Sequence, residues 1–293
     1  MWLADLKITY RGSVNRWECD ENDHLNVRFF VQRHWQVLQG GLSALGISPT
    51  PTQLQSLHIR FLAEARIATP MTGYFGVVKS LSEDKLVVFS KLSHSLTGQC
   101  MSSALHSLDV GEVVLQSIPK DIFCEVDPEL GPRGLSEEDS QYTALEYQEL
   151  TAHNFSMIGK GTIGPEEVCR DGSLLIHHYM GRLSDSMPHL WMNLFGTSAE
   201  SNSSQGGAVL EYRMGFSHFA KLGTNYEIWS GLAQAGKKVQ QFTHLLFDAD
   251  SYELILNAQA VGLRMDLETR KSVTLPNEVY ERMKSQVLGP LPK

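Results

Sequence analysis

Cysteine is scarce in this sequence, and the few that occur are scattered. The 293 residues contain only Cys19, Cys100, Cys124 and Cys169, with no CxxC pair, so no disulfide framework and no metal site is expected. No run of about 18 apolar residues is present, which argues against a membrane span. The N-terminal residues do not show a basic stretch followed by an apolar run, as a secretory signal would. We therefore expect a cytoplasmic protein with ordinary thiols.

Positive charge is also in short supply. Lysine and arginine number 25 against 33 aspartates and glutamates, which gives a formal net charge of −8. Nucleic acid is not an expected partner, because phosphate binding favours a clustered basic surface. Hydrophobic residues make up 42% and charged residues 20%, a composition typical of a globular protein. The length is that of about two domains of ordinary size.

An internal similarity divides the chain into two copies. Residues 10–33 align with residues 159–182 without a gap, at a shift of 149. The matched pairs in this segment are Gly12 with Gly161, Phe30 with Tyr179, and Arg33 with Arg182. Further pairs at shifts of 153 and then 157 are Arg60 with Arg213, Phe89 with Phe242, Asp109 with Asp266, and Pro119 with Pro276. The order and spacing of these pairs predict one structural unit written twice.

Each copy shows the same order of predicted elements, namely one strand, one long helix and four strands. In the first copy, apolar residues at helical spacing predict a helix over Leu25–Leu45, ended by Gly46 and Pro49. The predicted strands are Ile8–Trp17, Leu57–Ile67, Gly73–Leu81, Lys85–Ser95 and Gln99–Val110, with turns at Ser82–Asp84 and Thr97–Gly98. Along Leu57–Ile67, alternation places Arg60, Glu64 and Arg66 on one face.

The second copy repeats this plan. A helix is predicted over Leu174–Phe195, with Pro188 as a kink or break. The predicted strands are Met157–Glu166, Val209–Phe219, Asn225–Leu232, Lys238–Phe247 and Glu253–Met265. We predict an α+β fold with two domains, residues 1–135 and 136–293, each an antiparallel sheet around a long helix, packed as a pseudo-dimer. Residues 117–151 are rich in proline and glycine and are expected to connect them.

The densest polar segment is Asp20-Glu21-Asn22-Asp23-His24-Leu25-Asn26, between the first strand and the first helix. A helix N-terminus offers free N–H groups and a positive dipole end, which can stabilise negative charge developing on a carbonyl oxygen. A nearby carboxylate can act as a nucleophile or as a general base on water. Thioester hydrolysis needs both parts. The simpler interpretation is helix capping by Asn22 or Asp23, which does not prevent Asp20 from acting in catalysis.

This segment resembles the D-x-D-x-x-G-H-V-N-N signature of hotdog proteins similar to 4-hydroxybenzoyl-CoA thioesterase. In that alignment, His24 and Asn26 take the signature His and first Asn, and Asp20 takes the catalytic Asp. The resemblance implies that Val27 contributes a backbone N–H to bind the thioester oxygen. Glu18, Asp23 and Val27 depart from the signature, where the family has Asp, Gly and Asn.

Two further segments resemble the same family, His58–Glu64 and Asp266–Lys271, so the likeness touches both copies and implies a double-hotdog acyl thioesterase. The predicted catalytic residues are Asp20, His24 and Asn26, and Val27, Glu64 and Arg28 are predicted to bind substrate. No cofactor and no metal is expected, and the expected partner is an acyl-CoA. The fused pair is expected to be a monomeric pseudo-dimer or a homodimer.

The second copy lacks the signature, because Cys169, Ser173 and Leu175 stand where the first has Asp20, His24 and Asn26. We expect one working site and one degenerate site. Cys169 is interpreted as an ordinary thiol in preference to a nucleophile. His177-His178 have no further ligand at metal-binding spacing. Further candidates for contact with CoA phosphates are Arg28, Arg33, Arg270 and Lys271, although such residues are more often solvated surface charges.

Two other functions compete with hydrolysis. The first is an enoyl-CoA hydratase or dehydratase of the same fold, although the proline of the D-x-N-P-x-H pattern is missing here. The second is a non-catalytic module that binds acyl-CoA or acyl-carrier protein. Water addition to crotonyl-CoA without thiol release would indicate the first, and tight binding without hydrolysis the second. The acyl chain and the choice between CoA and carrier protein stay open.

Overall fold

The computed structural model describes residues 6–78, 85–119, 122–195 and 204–291, and these form two compact units. The first unit runs to Arg133 and also takes in Leu175–Gly181. The second comprises Gly134–Leu174 and the chain from Arg182 onward. Each unit contains five antiparallel strands and a long helix, as the hydrophobic pattern predicts. None of the described helices is both long enough and apolar enough to cross a membrane.

The first unit follows the predicted order of elements. Its helix α1 spans Val27–Ser43. Its strands are β1 (Lys7–Ser13), β2 (Leu54–Phe61), β3 (Pro70–Val78), β4 (Leu86–His94) and β5 (Cys100–Leu108), paired in the order β1-β3-β4-β5-β2. A short helix, α2 (Glu112–Ser117), and a two-residue strand, β6 (Phe123–Cys124), follow, and β6 pairs parallel to β3.

The buried face of α1 explains why this segment folds as a helix. Apolar side chains recur every three or four residues and pack against β1, β3 and β4. The side chains concerned are Phe30, Val31, Trp35, Leu38 and Leu42. Two glycines allow the helix to lie close to the sheet, because a Cβ on Gly73 would collide with Val37 and a Cβ on Gly41 would collide with Phe75. The helix therefore fills the centre of the first unit.

The second unit is built in the same way. Its strands are β7 (Ser156–Thr162), β8 (Gln205–Phe216), β9 (Asn225–Ala235), β10 (Val239–Asp248) and β11 (Leu254–Asp266), paired in the order β8-β11-β10-β9-β7. Helix α3 spans Ile176–Phe195, and the short helix α4 spans Asn277–Lys284. The first six residues of α3 belong to the first unit.

The edge strands β1 and β7 carry the same irregularity. The register of β1 against β3 shifts between Ile8 and Tyr10, and the register of β7 against β9 shifts between Met157 and Gly159. The two shifts lie 149 residues apart. Charged side chains occur close to both, such as Arg11 in β1 and Lys160 in β7. Each bulge bends its strand locally and increases its twist.

Several predicted boundaries differ from the structure. The first predicted strand ends at Ser13, and Arg16–Glu18 forms a 3₁₀ turn instead. Strand β2 ends at Phe61 instead of Ile67, so Glu64 and Arg66 do not share a strand face. Helix α3 continues through Pro188 without a break. The predicted turn at Ser82–Asp84 lies outside the described residues.

The connecting region after Ser117 is more structured than its proline and glycine content predicts. It contains β6 and two 3₁₀ turns, Gln141–Ala144 and Tyr147–His153. The turns are anchored by a buried apolar cluster of the second unit. Its members are Tyr142, Leu145, Leu150, Phe155, Leu245, Phe247 and Leu288. This part of the connection belongs to the core of the second unit.

Hydrogen bonds correct the later part of the internal alignment. The N–H groups of residues 62 and 63 donate to Met101 O, and those of residues 217 and 218 donate to Ile255 O. These equivalent bonds give a shift of 155, so Gly215 and not Arg213 occupies the position of Arg60. At the turn after β4, His94 N donates to Gln99 O, and Asp248 N donates to Glu253 O, which gives a shift of 154. Phe89 and Phe242 are therefore offset by one residue.

The core of the first unit contains a chain of buried polar groups. Ser102 Oγ donates to Arg60 O (2.7 Å), so it accepts from Nε2 of His34 (2.9 Å). Burial, with a smaller effect of His106, holds the pKa of His34 well below its ordinary value. His34 is then neutral, and its Nδ1 accepts from Ser90 Oγ (2.7 Å). Ser90 in turn accepts from Nε2 of His106 (3.0 Å), whose buried Nδ1 has no partner among the described residues.

Candidate active site

A buried ion pair fixes the segment that leads into the polar loop. Arg33 of α1 donates through Nη2 to Glu18 Oε2 at 2.7 Å, and only 3% of Arg33 is exposed. The same carboxylate oxygen accepts from Asn15 N at 2.7 Å, and the Glu18 carbonyl accepts from Asn26 N at 2.9 Å. We call Glu18 and Arg33 the loop anchor. Arg33 was a candidate for CoA phosphate, but its burial in this pair excludes that role.

Asp20 organises the polar loop with one carboxylate oxygen. Its Oδ1 accepts from Asn22 N (2.9 Å) and His24 N (3.1 Å), and its own N–H donates to His24 O (2.7 Å). Its Oδ2 makes no hydrogen bond to the residues that the structure describes. The side chain is half-buried. Asp20 thus closes a turn with one oxygen and presents the other for chemistry.

Asp23 adopts the backbone conformation that the signature assigns to glycine. Its φ is 58°, in the left-handed region, and its N–H donates to Asp20 O at 3.1 Å. Aspartate tolerates this conformation better than most residues do. The replacement of the signature glycine therefore leaves the turn intact.

His24 and Glu64 form a polar pair next to this turn. His24 is 8% exposed, and its Nε2 lies 3.2 Å from Oε2 of the exposed Glu64. A backbone bridge between His24 and Arg66 brings the segment after β2 alongside the loop. Glu64 was predicted to bind substrate, and the structure places it in contact with His24. Arg60, predicted to share a strand face with Glu64, donates to Glu129 O and Gly131 O instead.

The N-terminus of α1 has one donor to spare. Asn26 is the N-cap residue, and its side chain accepts from Arg28 N at 2.9 Å. The predicted caps, Asn22 and Asp23, do not perform this role. Within the described ranges, the N–H of Val27 makes no hydrogen bond. A 17-residue helix dipole adds partial positive charge at this end.

The side chain of Arg28 lies over Gly181 of α3. A Cβ on Gly181 would lie 2.8 Å from Arg28 Cδ, so the arginine stem occupies the space that the glycine leaves. Arg28 also influences the imidazole of His177 electrostatically. Arg270 and Lys271, the other predicted contacts for CoA phosphates, follow β11 in the second unit. The structure therefore places Asp20, His24, Asn26, Val27, Glu64 and Arg28 in the first unit, whereas Arg270 and Lys271 belong to the second.

The second unit repeats the loop anchor and the turn 149 residues later. Arg182 donates to Glu167 Oε2 at 2.6 Å, as Arg33 does to Glu18. Cys169 N donates to Ser173 O (2.9 Å), as Asp20 N does to His24 O, and Gly172 has a φ of 81° where Asp23 has 58°. The backbone frame of the loop is the same in both units.

The chemistry of the second loop differs from the first. Ser173 stands where the first unit has His24, and Phe219, which stacks on Phe216, stands where it has Glu64. Cys169 Sγ donates to Asp171 Oδ1 at 2.9 Å, and burial followed by this hydrogen bond raises the pKa of the thiol. A raised pKa disfavours the thiolate that a nucleophile needs. Among the described residues, no group of His, Cys, Asp and Glu side chains could hold a metal ion.

Sequence reasoning missed two features of the loops. The first is the direct contact between His24 and Glu64, which are 40 residues apart and meet only because the segment after β2 runs beside the loop. The second is Asp171, whose Oδ1 accepts from Ser173 N at 2.9 Å. It performs the turn-closing role of Asp20 from a position two residues further along the chain. The sequence signal that could have revealed this role is the position of the Asp171 carboxylate, two residues before Ser173.

Comparison with solved structures identifies the fold. No protein-family model and no curated protein matches the sequence. The structure is similar to a Lactobacillus plantarum protein assigned as an oleoyl thioesterase, with a TM-score of 0.64 and 11% identity over 94% of this chain and all of that one. An acyl-ACP thioesterase from Bacteroides thetaiotaomicron has a TM-score of 0.62 and 10% identity over 88% of this chain and 98% of that one.

A third similar structure comes from a plant. The 12:0-ACP thioesterase of Umbellularia californica has a TM-score of 0.64 and 8% identity, over 88% of this chain and 94% of that one. These proteins are thioesterases of the hotdog fold. At identities of 8 to 11%, the likeness defines the fold of this chain and leaves its activity to be argued from the site.

Proposed function

We propose that this chain hydrolyses acyl thioesters of CoA or of acyl-carrier protein, as a tandem hotdog thioesterase of the 4-hydroxybenzoyl-CoA thioesterase-like kind. The working site belongs to the first domain, residues 1–135, and the second domain, residues 136–293, is catalytically degenerate. One observation carries the proposal. Asp20 Oδ2 and Val27 N–H, which make no hydrogen bond to the described residues, lie with His24 in one short loop and the helix start that it enters, and Glu64 contacts His24 from the segment after β2.

The chemistry assigns a role to each of these groups. The Val27 N–H and the α1 dipole bind the thioester oxygen and stabilise the negative charge that develops on it. Asp20 Oδ2 attacks the thioester carbon or removes a proton from the attacking water. The two backbone N–H groups on Oδ1 hold the carboxylate in one orientation. Glu64 orients the imidazole of His24, which faces the same loop.

The unit-to-unit difference supports the assignment to the first domain. In the second unit, the groups at the positions of Asp20, His24 and Glu64 are a thiol with a raised pKa, a hydroxyl and a phenyl ring. These offer no carboxylate and no imidazole. The second domain then serves as a scaffold, and the chain is a monomeric pseudo-dimer or a homodimer acting in the cytoplasm.

The decisive experiment compares Asp20 and Asp171, the two aspartates that close the same turn in the two units. Thiol release is measured from short, long and aromatic acyl-CoA and from acyl-carrier protein, with wild type, Asp20→Asn and Asp171→Asn. Asparagine keeps an oxygen for the turn, so both variants should fold. We expect Asp20→Asn to lower kcat/KM at least about a hundredfold and Asp171→Asn to leave it unchanged. Equal activity of wild type and Asp20→Asn would remove Asp20 from the mechanism.

A second variant tests the contact that the sequence did not predict. Glu64→Gln keeps the shape of the side chain but weakens its hydrogen bond to His24. We expect kcat to fall about tenfold, since charge-assisted hydrogen bonds contribute roughly 1.5–3 kcal/mol. Phe219→Leu, at the equivalent position of the second unit, is the matched control and should have no effect on kcat. A loss confined to KM would make Glu64 a binding residue instead.

One observation favours the binding-module alternative. The carboxylate of Asp171 closes its turn without any catalytic partner, so a carboxylate at this turn can be purely structural. If the carboxylate of Asp20 is likewise purely structural, the protein binds acyl thioesters without hydrolysing them. Calorimetric binding of acyl-CoA with no thiol release by wild type would support this alternative.

A further inference from the structure

Arg28 carries a positive charge that the described residues leave without a counter-ion. It is the second residue of α1 and directly follows the unpaired N–H of Val27. No carboxylate in the described ranges lies within ion-pair distance of it. The side chain is only partly exposed to solvent. A partly buried, uncompensated cation is costly unless an anion binds to it.

The position of the Arg28 side chain is well defined. Its stem lies over Gly181, where any Cβ would collide with Cδ, and its guanidinium carbon lies 5.3 Å from the centre of the Phe29 ring. The Nε atom is fully buried and has no partner among the described residues. The terminal nitrogens Nη1 and Nη2 are not buried without a partner in this way. They make no hydrogen bond to the residues that the structure describes.

His177, one helical turn before Gly181, is the neighbouring polar group. It is 8% exposed, makes no hydrogen bond to the described residues, and its ring centre lies 4.3 Å from that of His178. Burial, then His178 and then Arg28 lower the pKa of His177 to about 3. The imidazole is therefore neutral near pH 7 and offers one donor and one acceptor without adding a competing charge.

We propose that Arg28 and His177 form a subsite for a carboxylate carried by the acyl chain, so that the preferred substrate is the monothioester of a dicarboxylic acid. This inference rests on the proposed function for the position of the thioester, which Val27 N–H would hold one residue away. The phosphates of CoA lie at the far end of the pantetheine arm from the thioester, so a thioester held by Val27 N–H would place them far from this cation. A carboxylate matches the planar fork of the guanidinium.

Binding measurements test the subsite independently of hydrolysis. Two stable thioethers of equal chain length serve as probes, S-pentyl-CoA and S-carboxybutyl-CoA, titrated calorimetrically into wild type and variants. We expect wild type to bind the carboxylate analogue more tightly. Arg28→Met, which keeps the stem over Gly181, should weaken that analogue about tenfold to a hundredfold and leave S-pentyl-CoA unchanged. Arg16→Met, which removes an exposed charge near the loop, is the matched control.

A second variant separates the charge of Arg28 from its position. Gly181→Ala keeps the charge but displaces the stem, and we expect it to weaken the carboxylate analogue selectively as well. Thermal unfolding checks that each variant is folded. Equal affinity of wild type for both analogues, or an equal loss on both in Arg28→Met, would overturn the subsite. Hydrolysis of glutaryl-CoA and valeryl-CoA is measured in parallel, and absence of both would count against the proposed function alone.

Discussion

The loops at the start of the two long helices share a backbone and differ in chemistry. Both are held by a Glu–Arg ion pair, both return through the same backbone hydrogen bonds, and both contain a residue with positive φ at the same position. Only the first has a carboxylate, an imidazole and a second carboxylate, at Asp20, His24 and Glu64. The equivalent residues of the second are Cys169, Ser173 and Phe219. The frame that folds the loop is therefore separable from the groups that could perform catalysis.

The two turn carboxylates show how this separation works. Asp20 closes its turn with Oδ1 and has Oδ2 to spare, whereas Asp171 closes the equivalent turn from two residues further along and accepts a hydrogen bond from Cys169 as well. In the second loop, the residue that closes the turn is therefore not the residue at the catalytic position. The turn is closed there without an aspartate at position 169.

The largest effect is expected from breaking the loop anchors. Arg33→Met removes the ion pair of the buried Glu18, and Arg182→Met removes that of the half-buried Glu167; breaking a buried pair of this kind typically destabilises a protein by about 3–5 kcal/mol. We expect similar losses for both, measured by urea unfolding with hydrogen exchange to locate the affected unit. Arg16→Met, at an exposed position, is the control. A large loss in only one unit would show that the two frames are not equivalent.

The next effect is expected from acid. Burial lowers the pKa of His34 and lowers the pKa of His106 to about 3. The pKa of His177, in the same unit, is also lowered to about 3. The second unit contains His244, whose Nδ1 lies 2.7 Å from Ser230 Oγ in a hydrogen bond. Burial lowers the pKa of His244 to about 4. These imidazoles are neutral in the folded state and bind protons in the unfolded state as the pH falls. Their contribution to the free energy of unfolding is therefore fully present above about pH 6.5 and is lost as the pH falls toward their folded-state pKa values.

The comparison predicts different slopes for the two units. Each such histidine contributes at most about 1.4 kcal/mol per pH unit in this window. The first unit, with three of them, should lose protection from hydrogen exchange more steeply between pH 6.5 and pH 5 than the second. His106→Leu, which removes one titrating group, should flatten the slope of the first unit only. Parallel slopes in the two units would contradict this assignment.

The smallest effect is expected at the positive-φ position. Asp23→Gly relieves the left-handed backbone and should stabilise the first unit by up to about 1 kcal/mol. Gly172→Ala imposes a Cβ on a φ of 81° and should destabilise the second unit by about 1–2 kcal/mol. No atom lies within 4 Å of the added Cβ, so the effect is purely conformational. Thermal unfolding measures both, and opposite signs are the expected result.

The sequence predicts the loop and helix of each unit well, and the reason is physical. Between Gly12 and Arg33 the two copies align without an insertion, and the loop anchor, the turn and the helix start are tied by hydrogen bonds at fixed spacing. The shift of 149 is therefore preserved residue by residue. The α+β organisation follows from the same apolar periodicity that buries α1.

Later parts of the alignment could not be predicted because bulges and turns set the strand register. Arg60 and Arg213 look equivalent by identity, yet they differ by two residues in register. Both nevertheless hold the connecting segment, Arg60 through Glu129 O and Gly131 O and Arg213 through Glu137 O at 2.9 Å. The contact of His24 with Glu64 depends on β2 ending at Phe61, which alternation alone does not reveal.

The matching bulges of β1 and β7 have a consequence for how the protein behaves when concentrated. An unpaired strand edge is a template onto which a strand from another molecule can add, the first step toward fibrous aggregation. The bulge at Ile8–Tyr10 and its counterpart at Met157–Gly159 interrupt the regular row of backbone donors and acceptors on both edge strands. Arg11 and Lys160 would place charge opposite any incoming strand. Both of these edge strands are thus protected against templated growth by the same local irregularity.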